Sequence, residues 1–254
     1  MAKLTLANLT ALSGSSWNGV KYFCTQRFGG VSQEGYSSFN LAEHVGDKPQ
    51  AVAHNRRLLA AQLPNPPVWL NQVHGVEVVQ TDQIPAQAVP QADALITMQP
   101  LQPLAILTAD CLPVVIADVS GQALGVAHAG WRGLLGGILE NTCALLQKRL
   151  PQAIGWQAWI GPAICQQCYE VGADVYEAFT QHNADAKCYF QPVSSAPQKW
   201  LANLSGLASY RLAKAGVQHV EISRFCTFCS PNQLYSYRRE SVCGRQATIA
   251  WIQP

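Results

Sequence analysis

Short apolar runs rich in β-branched residues recur along the chain, at residues 20–24, 68–70, 76–80, 95–97, 104–108, 114–118, 123–127, 156–160, 220–222 and 248–251. Such runs, bounded by Gly, Pro, Asn or Asp, predict β-strands. Four longer stretches, residues 50–62, 134–150, 171–183 and 201–215, carry helix-forming residues with apolar positions three to four apart, the repeat of a helix with one buried face. Gly216 stands where a glycine caps the last of them. Near the N-terminus Leu4, Leu6, Leu9 and Leu12 are interleaved with Thr5, Asn8 and Thr10, the alternation of a strand rather than the continuous apolar core of an export signal. Strands mixed with four helices predict an α/β or α+β domain, whose strand order the pattern leaves open.

Nearly half of the chain (48%) is apolar and 13% is charged, so a large core must be filled and disorder is excluded as the main state. There is no internal repeat, and no linker-like stretch longer than Leu63-Pro64-Asn65-Pro66-Pro67, so one domain over residues 1–254 is the simplest reading. Seventeen Lys plus Arg against fifteen Asp plus Glu give a net charge of +2, with no basic run longer than Arg56-Arg57 or Arg238-Arg239. A nucleic-acid binder needs a stronger electrostatic footprint, so no DNA or RNA partner is expected. No apolar stretch reaches the roughly 20 residues that span a bilayer; no membrane partner is expected, and the cytoplasm is the expected location. Nine cysteines then read as reduced thiols, some buried as small hydrophobes and some available to a metal.

Three segments at predicted strand ends could carry chemistry. Asn71-Gln72-Val73-His74-Gly75 is a tight connection that can point a histidine into a cleft. In Thr108-Ala109-Asp110-Cys111-Leu112-Pro113 a buried strand stops at an Asp-Cys pair. Ala127-His128-Ala129-Gly130-Trp131-Arg132-Gly133 leaves a strand through a glycine turn and opens a helix, where free N–H groups attract anions and Arg132 adds a planar donor fork. Two imidazoles and a thiolate, His74, His128 and Cys111, suit a three-ligand zinc site with a fourth position for water. Their spacing matches no short zinc signature, so satisfied core or turn groups remain the alternative. A second reading of Cys111 and His128 is a thiolate–imidazolium pair that attacks a carbonyl, with Asp110 or an amide orienting the ring. Copper would also accept two histidines and a thiolate, but only Met1 and Met98 could supply an axial thioether, and six histidines are too few for a four-copper oxidase.

Elsewhere Thr25-Gln26-Arg27-Phe28-Gly29-Gly30-Val31-Ser32 reads either as an anion-gripping loop, with Arg27 and Ser32 as donors and Gly29-Gly30 allowing close approach, or as a Gly-Gly hairpin turn. Ser38-Phe39-Asn40-Leu41 and His44 continue that cleft or form a capped turn. Two C-x-x-C pairs, Cys165–Cys168 and Cys226–Cys229, are 58 residues apart, far from the ~15–20 usual in a four-cysteine zinc site. Idle thiols are the simpler reading of them. Arg238, Arg239 and Arg245 offer an oxyanion or phosphate clamp, or salt-bridge partners.

Taken together these strings resemble the YfiH-like family, whose members are variously called laccase-domain proteins, polyphenol oxidases and purine nucleoside phosphorylases. The likeness also runs through Ala92-Asp93-Ala94-Leu95, Ile160-Gly161-Pro162, Cys168-Tyr169-Glu170-Val171-Gly172, Cys226-Thr227-Phe228-Cys229, Ser236-Tyr237-Arg238-Arg239 and Gly244-Arg245, in the family's order. The resemblance implies an α+β, single-domain layered α/β/β/α fold similar to deamidating toxins that use a Cys-His pair. It implies zinc, with copper as the other metal, on His74, Cys111 and His128. It further implies phosphorolysis of adenosine, inosine and methylthioadenosine, together with adenosine deamination. Arg27, Gly29, Gly30, Ser32, Asn40, Gln72 and Arg132 are then expected to bind substrate or phosphate, and Asp110 to shuttle a proton. No His-x-Glu with Pro-Cys-x-x-Cys is present, so deamination would be convergent with that of the known zinc deaminases. The family's competing roles are a copper polyphenol oxidase and a Cys-His hydrolase that edits muropeptide precursors carrying L-serine in place of L-alanine. A non-catalytic binding module is the bland alternative. A small-molecule partner and a monomer are expected.

Overall fold

Alternating side chains decide the architecture, because the central strands are covered on both faces. The computed structural model describes residues 3–6, 9–85, 88–181 and 183–254. One sheet has the order β1-β2-β3-β14-β6 and is antiparallel throughout, built from β1 (Lys3–Leu6), β2 (Leu9–Leu12), β3 (Val20–Thr25), β6 (Leu104–Thr108) and β14 (Gln246–Ile252). A second has the order β13-β9-β7-β8-β5-β4, from β4 (Val78–Gln80), β5 (Ala94–Thr97), β7 (Leu112–Asp118), β8 (Leu124–Ala129), β9 (Trp156–Ile160) and β13 (His219–Ile222). Its two edge pairs, β13 with β9 and β4 with β5, are parallel and the rest antiparallel. A small third sheet joins β10 (Glu170–Gly172), β12 (Lys199–Ala202) and β11 (Phe190–Pro192).

The two large sheets pack face to face through Tyr22, Leu104, Ile106 and Ala250 on one side and Val115, Leu124, Val126 and Trp159 on the other. Because the side-chain repeat of a strand is two, Val114 and Ile116 of β7 face the opposite way. They meet Leu134, Leu139, Leu146, Phe179 and Leu207 from α2 (Trp131–Gly136), α3 (Ile138–Arg149), α4 (Ala173–Thr180) and α5 (Leu204–Lys214). On the far face of the first sheet, Phe23, Ala105 and Ile249 bury Leu59 of α1 (Pro49–Ala60) with Phe39 and Leu41. The layers are thus α/β/β/α, as expected, and each fully buried Leu, Ile, Val or Phe contributes about 1.5–3 kcal/mol. Among the described residues no helix is long and apolar enough to cross a membrane.

Differences from the expected elements have local causes. The predicted 134–150 helix is two helices, broken at Gly137, whose φ of +101° ends one and starts the next. Residues 68–70 form a single bridge, Val68 to Leu104, because Pro66 and Pro67 have no N–H to continue a ladder. The stretches 171–183 and 201–215 each open as a strand edge and turn helical only at Ala173 and Leu204; residue 182 lies outside the described residues. Gly216 does follow the end of α5.

Candidate functional site

Strand register brings the site together. Pro113 of β7 pairs with His128 of β8, and Ala127 of β8 pairs with Ala94 of β5, so Cys111, His128 and Asp93 emerge at one end of three adjacent strands. Asp93 is fully buried and its carboxylate accepts the N–H groups of Val73 (3.1 Å), His74 (3.0 Å) and Gly75 (2.7 Å), which fixes the 71–75 turn over the cluster. The same carboxylate takes a 2.8 Å bond from His128 Nδ1, leaving Nε2 for another partner. Cys111 Sγ lies 4.0 Å from His74 Nε2, and the donor atoms of His74, Cys111 and His128 are all within 4.8 Å of one another, a group that could hold a metal ion. Gly130 makes room for this: a Cβ there would stand 3.0 Å from Cys111 Sγ and 3.0 Å from His74 Cδ2. His74 and Asp110 both have left-handed backbone, φ +59° and +95°, strain of the kind that persists where surrounding structure enforces it.

Charge follows from this packing. Burial works to raise the Asp93 pKa, but the bonds from His128 and from the Gly75 and Val73 N–H groups hold it below the usual carboxylate range. Burial likewise works against the ionised Cys111 and His128, yet each stabilises the other, so the thiol falls to about 6 and the imidazole rises to about 9. Without a metal the pair is a thiolate and an imidazolium.

Beside the cluster lies a cavity of about 390 Å³, lined by His44, Gln72, Leu107, Thr108, Ala109, Tyr237 and Arg245 together with His74, Cys111 and His128. Thr108 Oγ1 is buried and has no hydrogen-bond partner among the described residues. Tyr237 is 56% exposed, with the Arg245 guanidinium 5.7 Å from its ring centre. Burial, with Arg245 and Arg56 nearby, holds His44 below the ordinary imidazole range, so it is neutral at pH 7. A larger cavity, about 590 Å³ between α4 and α5, contains none of the cluster.

The structure brings together only part of the expected site. His74, Cys111, His128 and Gln72 line the cavity; Gln72 spends its amide on both backbone groups of Leu107. Arg27, Gly29, Gly30, Ser32, Asn40, Asp110 and Arg132 are absent from that lining. Arg27 bonds the carbonyls of Ser37 and Pro231 and stacks on Tyr235. Ser32 donates to Asp47 and accepts from Asn55, while Asn40 bonds Asp47, Ala42 and the Arg245 N–H. The close approach at Gly30 is to the protein itself, since a Cβ there would meet Asn55 Oδ1 and the Ser38 carbonyl at 2.4 Å. Both Asp110 oxygens are engaged, by Thr227 Oγ1 at 2.5 Å and by the Arg238 N–H at 2.7 Å. Arg132 is exposed, over the ring of Trp131. Residue-level reading assigned no role to Asp93, although a lone carboxylate between Ala92 and Ala94 in an apolar run has to find partners.

The model of a family described as multi-copper polyphenol oxidoreductase laccase matches residues 21–253. The chain belongs to this family. A purine nucleoside phosphorylase of Pseudomonas aeruginosa is 43% identical over 234 residues, covering 92% of this chain and 94% of its own. The purine nucleoside phosphorylase YfiH of Escherichia coli is 41% identical over 236 residues, covering 92% and 94%. Among solved structures, a Neisseria meningitidis protein superposes with a TM-score of 0.90 at 39% identity, covering 97% of this chain and 100% of that one.

Proposed function

We propose that the chain is a zinc-dependent purine nucleoside phosphorylase acting on adenosine, inosine and methylthioadenosine. The observation that carries this reading is the cluster: two imidazoles and a thiolate, one imidazole held by a buried carboxylate, beside a cavity of nucleoside size. The relatives named purine nucleoside phosphorylase agree with it. Zinc suits this donor set, since it takes imidazole nitrogen and thiolate sulfur, and the Asp93–His128 bond is the arrangement by which a carboxylate fixes a ligand's tautomer and raises its basicity. A multi-copper centre does not fit, because the chain has only six histidines and neither of its methionines lines the cavity.

Bound zinc would supply a Lewis acid at the cavity floor. The remaining work falls to the chain's own side chains. In phosphorolysis a phosphate oxygen bonds the anomeric carbon as its bond to the purine nitrogen breaks, and the electron pair leaves with the base. Tyr237 offers a ring for the purine, and such stacking contributes about 1–3 kcal/mol per base. Arg245, whose Nη1 is held by the carbonyls of Cys243 and Gly244, offers the rest of its guanidinium to phosphate from the cavity wall, taking the role expected of Arg27, and Thr108 Oγ1 is free to bond a ribose hydroxyl. Neutral His44 can hydrogen-bond the departing purine, which takes its proton from the acidic oxygen of the attacking phosphate or from solvent. Nine free thiols suit a reducing cytoplasm. Adenosine deamination in the same cavity would require Asp110 to release one of its two partners before it could shuttle a proton.

One observation favours a second reading. Cys111, His128 and Asp93 stand in the order of a nucleophile, its base and the carboxylate that orients the base, which suits the Cys-His hydrolase role. Turnover of adenosine and inosine by metal-assayed protein separates the two, with and without phosphate, following ribose-1-phosphate, free base and ammonia separately. Phosphate-dependent release of base is the expected result; no turnover of either nucleoside by zinc-loaded protein would overturn the phosphorylase reading in favour of the hydrolase.

A further inference from the structure

Two C-x-x-C turns lie outside this site, and the topology cancels their separation in sequence. β9 and β13 are parallel neighbours with Ile160 opposite Ile222, so the segments leaving their C-terminal ends run side by side. A bridge between Ala163 and Cys226 continues the pairing, with the Thr227 N–H on the Ala163 carbonyl at 3.1 Å. Cys165 to Cys168 closes as a single turn, Cys168 N–H to Cys165 C=O at 3.1 Å. In consequence the Sγ atoms of Cys165, Cys168, Cys226 and Cys229 all lie within 4.8 Å of one another. Cys168 and Cys229 are 3.3 Å apart, and Cys226 Sγ accepts the Cys165 N–H at 3.3 Å. Three of the four are half-buried and Cys229 is exposed, so an ion can reach them from solvent.

We infer that Cys165, Cys168, Cys226 and Cys229 form a second metal site, a closed four-thiolate site for zinc. Zinc–sulfur bonds of about 2.3 Å put tetrahedral sulfurs about 3.8 Å apart, within the observed span, and four protein ligands leave no position for substrate. Binding exchanges the thiol protons for the ion and releases them to solvent. The site would brace the turn that presents Cys111. Ile164, beside Cys165, donates its N–H to the Asp110 carbonyl at 3.0 Å, and Thr227, beside Cys226, donates to the Asp110 carboxylate at 2.5 Å. Tyr169, next to Cys168, carries the Arg238 guanidinium over its ring at 5.0 Å, and its hydroxyl is pushed up to about 12 by burial and by nearby Cys111. The left-handed Asp110 is thus pinned from both C-x-x-C loops, immediately before Cys111.

The test uses the full reduced chain, treated with limiting iodoacetamide in the presence of either zinc alone or EDTA, with each cysteine read by peptide mass spectrometry. Exposed Cys188 is the internal reference. Zinc should slow modification of Cys165, Cys168, Cys226 and Cys229 together, on the order of ten-fold or more, and leave Cys188 unchanged. The same protection should persist in Cys111→Ser protein, which keeps this result separate from the fate of the first site. Equal modification with zinc and with EDTA overturns the inference, as does recovery of Cys168 and Cys229 as a disulfide from zinc-supplied, reduced protein.

Discussion

The cluster of His74, Cys111 and His128 and the glycine loop of Arg27 to Ser32 both read as chemistry in the sequence, and they differ in what their polar atoms do once folded. In the loop, Arg27, Ser32 and Asn40 spend their donors on Ser37, Pro231, Asp47 and Ala42. At the cluster, Asp93 holds His128 and Cys111 is paired with both imidazoles, and these three side chains and the partnerless Thr108 hydroxyl face a cavity. The loop's side-chain donors go largely to the protein itself, whereas the cluster lines a cavity in which one buried group, Thr108 Oγ1, has no partner among the described residues. Glycines and an arginine in sequence look the same in both roles.

The sharpest way to break this contrast is to remove one residue from each side. Cys111→Ala should lower kcat/KM on the order of a thousand-fold with the fold intact by circular dichroism, whereas Arg27→Ala should change it by no more than about three-fold. Equal losses would erase the distinction. Asp93→Asn should weaken metal binding about ten- to a hundred-fold in a chelator competition. It should also cost about 3–5 kcal/mol in urea unfolding, because four donors lose a charged acceptor. A smaller effect sharpens the assignment of the arginines: Arg245→Ala should raise KM for phosphate about ten-fold, while Arg27→Ala leaves it unchanged and costs no more than about 1 kcal/mol of stability, since the two exposed carbonyls it abandons take water. Smallest of all, Thr108→Val should leave thermal stability within about 0.5 kcal/mol and raise KM for inosine a few-fold, since no group among the described residues uses that hydroxyl.

Much of this is legible in the sequence. Short apolar runs rich in β-branched residues mark most of the strands of both large sheets, whereas the spacing of His74, Cys111 and His128 matches no short zinc signature and the trio comes forward through the family resemblance. Asp93 was harder, since its meaning lies in β5–β8 register, which pairs Ala94 with Ala127 and is nowhere written in local spacing. The C-x-x-C pairs failed on spacing for the same reason: a parallel β9–β13 pair brings together what α4 and α5 separate. The third sheet escaped because β10 and β11 are three residues each, too short for alternation to declare itself.

The central claim is that Cys111 serves catalysis as a metal ligand beside the cavity, and its most direct test is zinc content measured alongside phosphate-dependent inosine turnover in wild-type and Cys111→Ser protein. The account predicts that the substitution removes one equivalent of zinc and the turnover together. Retention of both the full zinc content and the turnover would contradict it.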